Sequence, residues 1–321
     1  LACIKFNKGE KVMKYITLFF AVVVFAYLSI PGIITAEEQD AGQKLTPMVI
    51  EEGGKGPYKA VALGEETLPR FTIYRPQNLG DFGPGKRLPV LLWGNGGCAD
   101  SSAMHKLFLN EIASHGFIVF AIGPFDTLDK PPQMGPMGGE RKEISLLEAL
   151  DWAVAENSRK SGGYFAKLDT DNVAAMGMSC GGLQALEVSP DPRIDTLVIC
   201  NSGVLNGPPP EGLKMPAVTK DNLQQLHAPI IYIIGGEKDI AYTNAMDDFS
   251  RIDKVPVVMI NRDVGHGGTY AQPHGGAFSD AAIAWLKWQL NGDEEAALMF
   301  KGEDCGFCRD PEWKVETKNI K

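Results

Sequence analysis

The sequence predicts an α/β fold: a mostly parallel, twisted sheet with helices on both faces and antiparallel hairpin strands on its N-terminal side. Three observations predict it. Mostly apolar runs at 88–93, 117–122, 195–200, 230–234 and 255–260 alternate with longer amphipathic stretches. Such runs suit strands buried on both faces, as parallel strands are. Glycine-bearing segments follow several of them, among them Gly94-Asn95-Gly96-Gly97 and Gly235-Gly236, where a chain leaves a strand. The 321 residues, 44% hydrophobic and 22% charged, suffice for one large core. No shift in composition divides 58–304, so one domain is expected there.

The elements follow in order. Met13-Lys14-Tyr15 opens onto 16–30, apolar except for Thr17 and Ser29, and Ile34-Thr35-Ala36 precedes Glu37-Glu38. A basic start, an apolar middle and a small residue before charge describe a secretory signal peptide over 13–36, short for a membrane span. Residues 1–12 then read as an upstream extension. Residues 37–57, punctuated by Gly53-Gly54 and Gly56-Pro57, read as a mobile lead-in. Apolar stretches at 58–63 and 70–74, around Gly64-Glu65-Glu66, read as the hairpin. After the buried strand 88–93 comes a helix over 102–114, apolar at 104, 107, 108, 109 and 112, then the strand 117–122. A Pro/Gly/Met loop spans 131–139, and an amphipathic helix 144–155. The strand 172–176 leads through Gly177-Met178-Ser179-Cys180-Gly181-Gly182 into a helix beginning at 183. Beyond the strand 195–200 lie a proline-rich loop (Gly207-Pro208-Pro209-Pro210) and a short helix over 221–226. The strands 230–234 and 255–260 flank a helix near 245–249. A last helix, 279–290, carries Trp285 and Trp288, and 305–321 reads as a cysteine-containing tail.

The formal net charge is −9, and no block of lysine or arginine follows the N-terminal region. That excludes nucleic acid as an expected partner and disfavours polyanionic substrates. After signal cleavage no segment suggests stable membrane association, and a monomer is expected.

The chemistry centres on Ser179. A strand, a G-x-S-x-G turn and a helix form a nucleophile elbow, in which the serine sits at a strained turn above the strand ends. Side chains at 177 and 181 would collide with the neighbouring strand and helix. A serine hydroxyl needs a base within hydrogen-bond reach and a group that orients the base. Asp239 follows the strand 230–234 and His266 follows the strand ending at 260, giving the order Ser, Asp, His. His274 competes with His266 for the role of base, or lines the entrance to the site. Glu237 and Asp263 compete with Asp239. Two backbone donors are needed for an oxyanion: Cys180 N–H, at a helix N-terminus, and Gly97 N–H, in the loop after the preceding parallel strand. Asn95, Gly96, Met178 and His274 are candidate substrate-binding residues, with Trp93 and Met134 as further apolar lining. Loops 131–139, 201–216 and 267–278 would shape the pocket.

On these residues the chain resembles an exported α/β-hydrolase of the broad group holding dienelactone hydrolases, cutinase-like esterases and polyester hydrolases. The resemblance spans roughly 58–305. It rests on Asn95 to Ser102 as the oxyanion loop, Gly177 to Gly182 as the elbow, Asp239 and His266, and Ala284-Trp285-Leu286-Lys287-Trp288 in the closing helix. It implies hydrolysis of small or polymeric carboxylic esters through an acyl-enzyme, with no metal or organic cofactor. Serine peptidases and thioesterases share this machinery, and a non-catalytic binding protein on the same fold would lack it. Two positions depart from the polyester hydrolases. Gly97 stands where they carry an aromatic residue, and Asn201-Ser202-Gly203 where they carry a tryptophan, so their aromatic clamp is missing or supplied from elsewhere.

Without the signal peptide the cysteines are Cys98, Cys180, Cys200, Cys305 and Cys308. Export permits disulfides, and an odd number leaves one thiol unpaired within the chain. Cys98 and Cys180 each adjoin an expected oxyanion donor, and a bridge between them would rigidify the hole. Cys305-Gly306-Phe307-Cys308 offers too few ligands for zinc and suggests a structural disulfide, local or to a third cysteine. Cys200 reads as a packed thiol at a strand end.

Overall fold

The computed structural model describes residues 46–130, 145–209, 211 and 215–320. The proposed signal peptide, the upstream extension and the loop 131–139 with Met134 lie outside them.

Nine strands form one sheet among the described residues: β1 (Ala60–Gly64), β2 (Phe71–Pro76), β3 (Leu88–Gly94), β4 (Ile118–Ile122), β5 (Leu168–Met178), β6 (Thr196–Cys200), β7 (Ile230–Ile234), β8 (Val257–Asn261) and β9 (Lys314–Lys318). Their order is β1-β2-β4-β3-β5-β6-β7-β8-β9. The six from β4 to β8 in that order run parallel, β1 and β2 pair antiparallel, and β9 closes the far edge antiparallel to β8. This is the expected mostly parallel sheet, with its hairpin in place.

Alternation along each strand builds two cores. Val90, Leu92, Ile118, Phe120, Val173, Ala175, Leu197 and Ile199 face one side, under α2 (Leu146–Ser158), α3 (Cys180–Val188) and α4 (Tyr242–Arg251). Leu91, Trp93, Val119, Ala121, Ala174, Met176 and Val198 face the other, under α1 (Lys106–Ser114) and α5 (Gly276–Asn291). Moving each such valine, leucine, isoleucine, phenylalanine or methionine side chain out of water contributes roughly 1.5–3 kcal/mol, so both layers are strongly fixed to the sheet. α2 starts on a reciprocal cap: Ser145 Oγ accepts from Leu147 N–H, and Glu148 reaches back to Ser145 N–H.

Three segments differ from the sequence expectation. β5 begins at Leu168, because Leu168 and Asp169 pair with Leu88 and Pro89 before the register shifts at Val90. The polar run Asp169-Thr170-Asp171-Asn172 hid that extension. The expected mobile lead-in is packed from residue 46 onward. Met48 bridges to Ala62, Ile50 is buried, and Asn110 Nδ2 donates to the Ile50 carbonyl. Lys55 N–H and Gly56 N–H are bound by Glu111 Oε2 and Ser114 Oγ on α1. The expected C-terminal tail supplies β9. Its alternating Lys-Val-Glu-Thr-Lys is edge-strand chemistry, in which charge blunts further pairing. Trp313, just before it, is buried among Phe278 and Phe307 with Arg262 over its ring.

Disulfides join Cys98 to Cys180 and Cys305 to Cys308. Cys200 is the unpaired cysteine among the described residues, and it is buried. No helix among them is long and apolar enough to cross a membrane.

Candidate active site

β5 runs directly into α3, and Ser179 is the residue between them, at φ 54° and ψ −118°. That backbone is strained for a side-chain-bearing residue. It is held from several sides. Ser179 N–H donates to the Cys200 carbonyl at 2.9 Å, and the Ser179 carbonyl accepts from Gly182 N–H at 2.9 Å and Ser202 Oγ at 2.6 Å. A Cβ at Gly177 would collide with the Gly181 backbone, and one at Gly181 with the Gly94 carbonyl. Glycine at both positions lets β3, β5 and α3 meet. Ser179 is half-buried where its neighbours Met178 and Cys180 are buried.

Asp239 and His266 come from the loops after β7 and β8. These loops are pressed together: Gly265 N–H donates to the Gly235 carbonyl at 2.7 Å, and a Cβ at Gly235 would strike the Gly265 carbonyl. Asp239 is 3% exposed. Its Oδ1 accepts from Ala241 N–H (2.9 Å) and lies 2.6 Å from His266 Nδ1. Its Oδ2 accepts from Gly235 N–H (3.0 Å) and Asn201 Nδ2 (2.7 Å). Burial alone would raise this carboxyl, but the hydrogen bonds from His266, Ala241, Gly235 and Asn201 outweigh it and hold it below the usual aspartate value. His266 Nε2 lies 3.1 Å from Ser179 Oγ. With Nδ1–H donating to Asp239, Nε2 is the acceptor, and the Ser179 hydroxyl donates to it. The arrangement can draw a proton from Ser179 while an ionised carboxylate stabilises the resulting imidazolium.

Gly96–Cys98 makes a single 3-10 turn after β3, with Gly97 at φ 62° and Cys98 at φ 47°. The Cys98–Cys180 disulfide, with Cα atoms 5.1 Å apart, fastens this turn to the first residue of α3. Gly97 and Cys180, the expected oxyanion donors, therefore belong to two segments joined by a covalent tie. Met178 is buried at the end of β5, with its Sδ against Gly96.

Asn95 and His274 are placed differently from expectation. Asn95 is 1% exposed, and its side chain is fully engaged: Oδ1 accepts from Trp93 Nε1, and Nδ2 donates to the carbonyls of Ala99 and Ile122. It braces the turn from beneath, and Trp93 is core. His274 Nδ1 lies 3.1 Å from Glu111 Oε2 and 3.6 Å from Glu51 Oε2, without a well-aligned hydrogen bond, and His274 N–H donates to Glu51. It locks the N-terminal segment and α1 to the start of α5. His266 takes the place beside Ser179. Among the described residues His266 pairs with Asp239 and not with Glu237 or Asp263, and Asp263 pairs at 3.5 Å with exposed Lys238. Among the described residues no group of histidine, cysteine, aspartate and glutamate is arranged to hold a metal ion.

Four residues around this centre carry roles that the sequence reading assigned to none of them individually. Asn201 and Ser202, just past β6, hold Asp239 and the Ser179 carbonyl. Tyr270, four residues beyond His266, donates its hydroxyl to Asn201 Oδ1. His105 is buried against Trp93 and Tyr270, and burial lowers its imidazole to about 4. The available signal was positional: polar residues directly after an apolar strand end mark the site edge of a parallel sheet.

The site thus lies outside the carboxyl ends of β3, β5, β6, β7 and β8, with a serine, a histidine and an aspartate in line. A model of the PET hydrolase-like family (PETase) matches residues 95–302, a stretch that takes in every residue of this centre. No curated protein matches the chain. With that match over more than half its length, on an α/β-hydrolase sheet, the chain belongs to the PET hydrolase-like family.

Proposed function

We propose that the protein is an exported serine esterase that hydrolyses carboxylic esters, polyesters included, through an acyl-enzyme. The observation that carries this reading is the hydrogen-bonded line from Ser179 Oγ through His266 to Asp239. Ser179 Oγ attacks the ester carbonyl as His266 Nε2 takes its proton. His266 returns that proton to the leaving alcohol, then activates the water that releases the acid. Asp239 holds the imidazole tautomer and stabilises the imidazolium. Gly97 and Cys180 N–H groups stabilise the oxyanion, each worth about 3 kcal/mol in the transition state. Membership of the PET hydrolase-like family supports an ester, and a polymeric one, as substrate. Two disulfides fit an oxidising, extracytoplasmic destination.

Labelling with a fluorophosphonate, followed by peptide mapping, tests the reading. The adduct is expected on Ser179 and is expected to disappear in His266→Ala. Labelling indifferent to His266 would overturn it. A panel of esters, thioesters, amides and an amorphous polyester film then fixes the leaving-group class, with the esters turned over fastest.

A further inference from the structure

We propose that Asn201 and Tyr270 form a positioning brace for the Asp239–His266 pair, a polar relay that starts at the end of β6. The inference rests on the triad reading above.

The polarity of the relay follows from chemistry. Asp239 Oδ2 is ionised and accepts only, so the Asn201 atom facing it at 2.7 Å is the amide nitrogen. Asn201 Oδ1 then faces Tyr270, and the Tyr270 hydroxyl donates to it. Cys200, the residue before Asn201, is a buried free thiol. Burial holds both the thiol and the phenol protonated, the thiol up to about 12. Donors therefore point one way along the line from Tyr270 through Asn201 to Asp239. His266 and Ser179 complete it from the other side.

The placement suits a brace. Asn201 is fully buried, and its N–H continues the β6–β7 ladder to the Ile233 carbonyl. Its φ of 43° lies in the left-handed region, which asparagine tolerates better than most residues. From there one amide grips three groups on two loops: Asp239 after β7, and the Gly265 carbonyl beside His266 (3.3 Å) and Tyr270 after β8. The loops bearing acid and base are thus fixed to each other through the end of β6. The other ionisable groups nearby are His105, neutral against Tyr270, and the exposed Lys238–Asp263 pair on the outer side of the two loops.

The test uses Asn201→Gly, which keeps a relaxed backbone at this φ, and Tyr270→Phe, which removes only a hydroxyl. Active enzyme is counted by fluorophosphonate titration, and kcat and KM on a soluble activated ester are followed against pH. Without its amide donor the Asp239 carboxylate keeps more of its charge for His266 Nδ1–H and binds that donor more strongly. The acid limb of kcat/KM is then expected to move to higher pH by about half to one unit in Asn201→Gly, and by less in Tyr270→Phe. In Asn201→Gly kcat per titrated site should fall about tenfold, with KM within about twofold. An acid limb unmoved in both variants, with activity falling only as titratable sites fall, would overturn the brace. A His266→Ala protein that keeps wild-type turnover would overturn the triad reading instead, so the two failures are distinguishable.

Discussion

At the scale of single residues, the site is a set of polar groups each fixed by several partners. Asp239 accepts four hydrogen bonds, two on each oxygen, so in Asp239→Asn the amide NH2 faces two donors whichever way it turns. On the order of 10⁴-fold loss of kcat is expected, with a urea midpoint lowered by the unpaired donors, about 1–3 kcal/mol in unfolding free energy. Ser179→Ala and His266→Ala should each lose as much or more, non-additively when combined. Ser179, Asp239 and His266 were legible because the elbow has a fixed pattern and the other two follow strand ends in a set order. Asn201 and Tyr270 were not, since no spacing rule ties them to the aspartate they serve. The Asn95 side chain is taken up by Trp93 Nε1 and two backbone carbonyls, and the His274 ring lies between the carboxylates of Glu51 and Glu111. Sequence alone does not distinguish either arrangement from a waiting ligand site.

At the scale of elements, α4 is tied to the sheet through a buried acid. Asp248 is fully buried; its Oδ2 accepts from Val204 N–H at 2.8 Å and Tyr232 Oη at 3.2 Å, and its Oδ1 from Lys220 Nζ at 2.6 Å. Burial dominates those bonds and pushes the carboxyl up from 3.8 to about 6. The folded chain therefore holds an extra proton between those values, so Asp248's contribution to stability is full below about pH 4 and declines as pH rises through about 6. Asp248→Asn should flatten that part of the stability–pH curve, as read by urea unfolding at pH 4, 5, 6 and 7. A second element-scale tie is the Cys98–Cys180 bridge, which closes a loop of 82 residues. The Cys98→Ala/Cys180→Ala protein should lose roughly 2–4 kcal/mol of unfolding free energy. Its kcat should fall on the order of tenfold or more, because the turn bearing Gly97 is no longer fastened to α3. The strands and helices themselves were legible wherever burial on both faces wrote an apolar run. They were obscured where a strand is polar by position, at the start of β5 and along β9.

At the scale of the whole molecule, the sheet is bounded by antiparallel strands from opposite ends of the described chain, β1 and β9. β9 is secured by more than its ladder: Lys318 Nζ donates to the Phe249 carbonyl and pairs with Asp253, and Trp313 anchors the approach. Removing 310–321 should uncover the edge of β8. The expected result is a melting midpoint lower by at least about 5 °C and concentration-dependent association by light scattering. The bridge between 98 and 180 also has a consequence for how the protein is made. The bridge is part of neither buried layer and of no strand ladder; what it fastens is the turn after β3. Chain produced in a reducing cytosol should therefore accumulate in folded but sluggish form, and gain turnover on mild oxidation without any gain in folded mass. Specific activity, more than yield, would then record which side of a membrane the chain matured on.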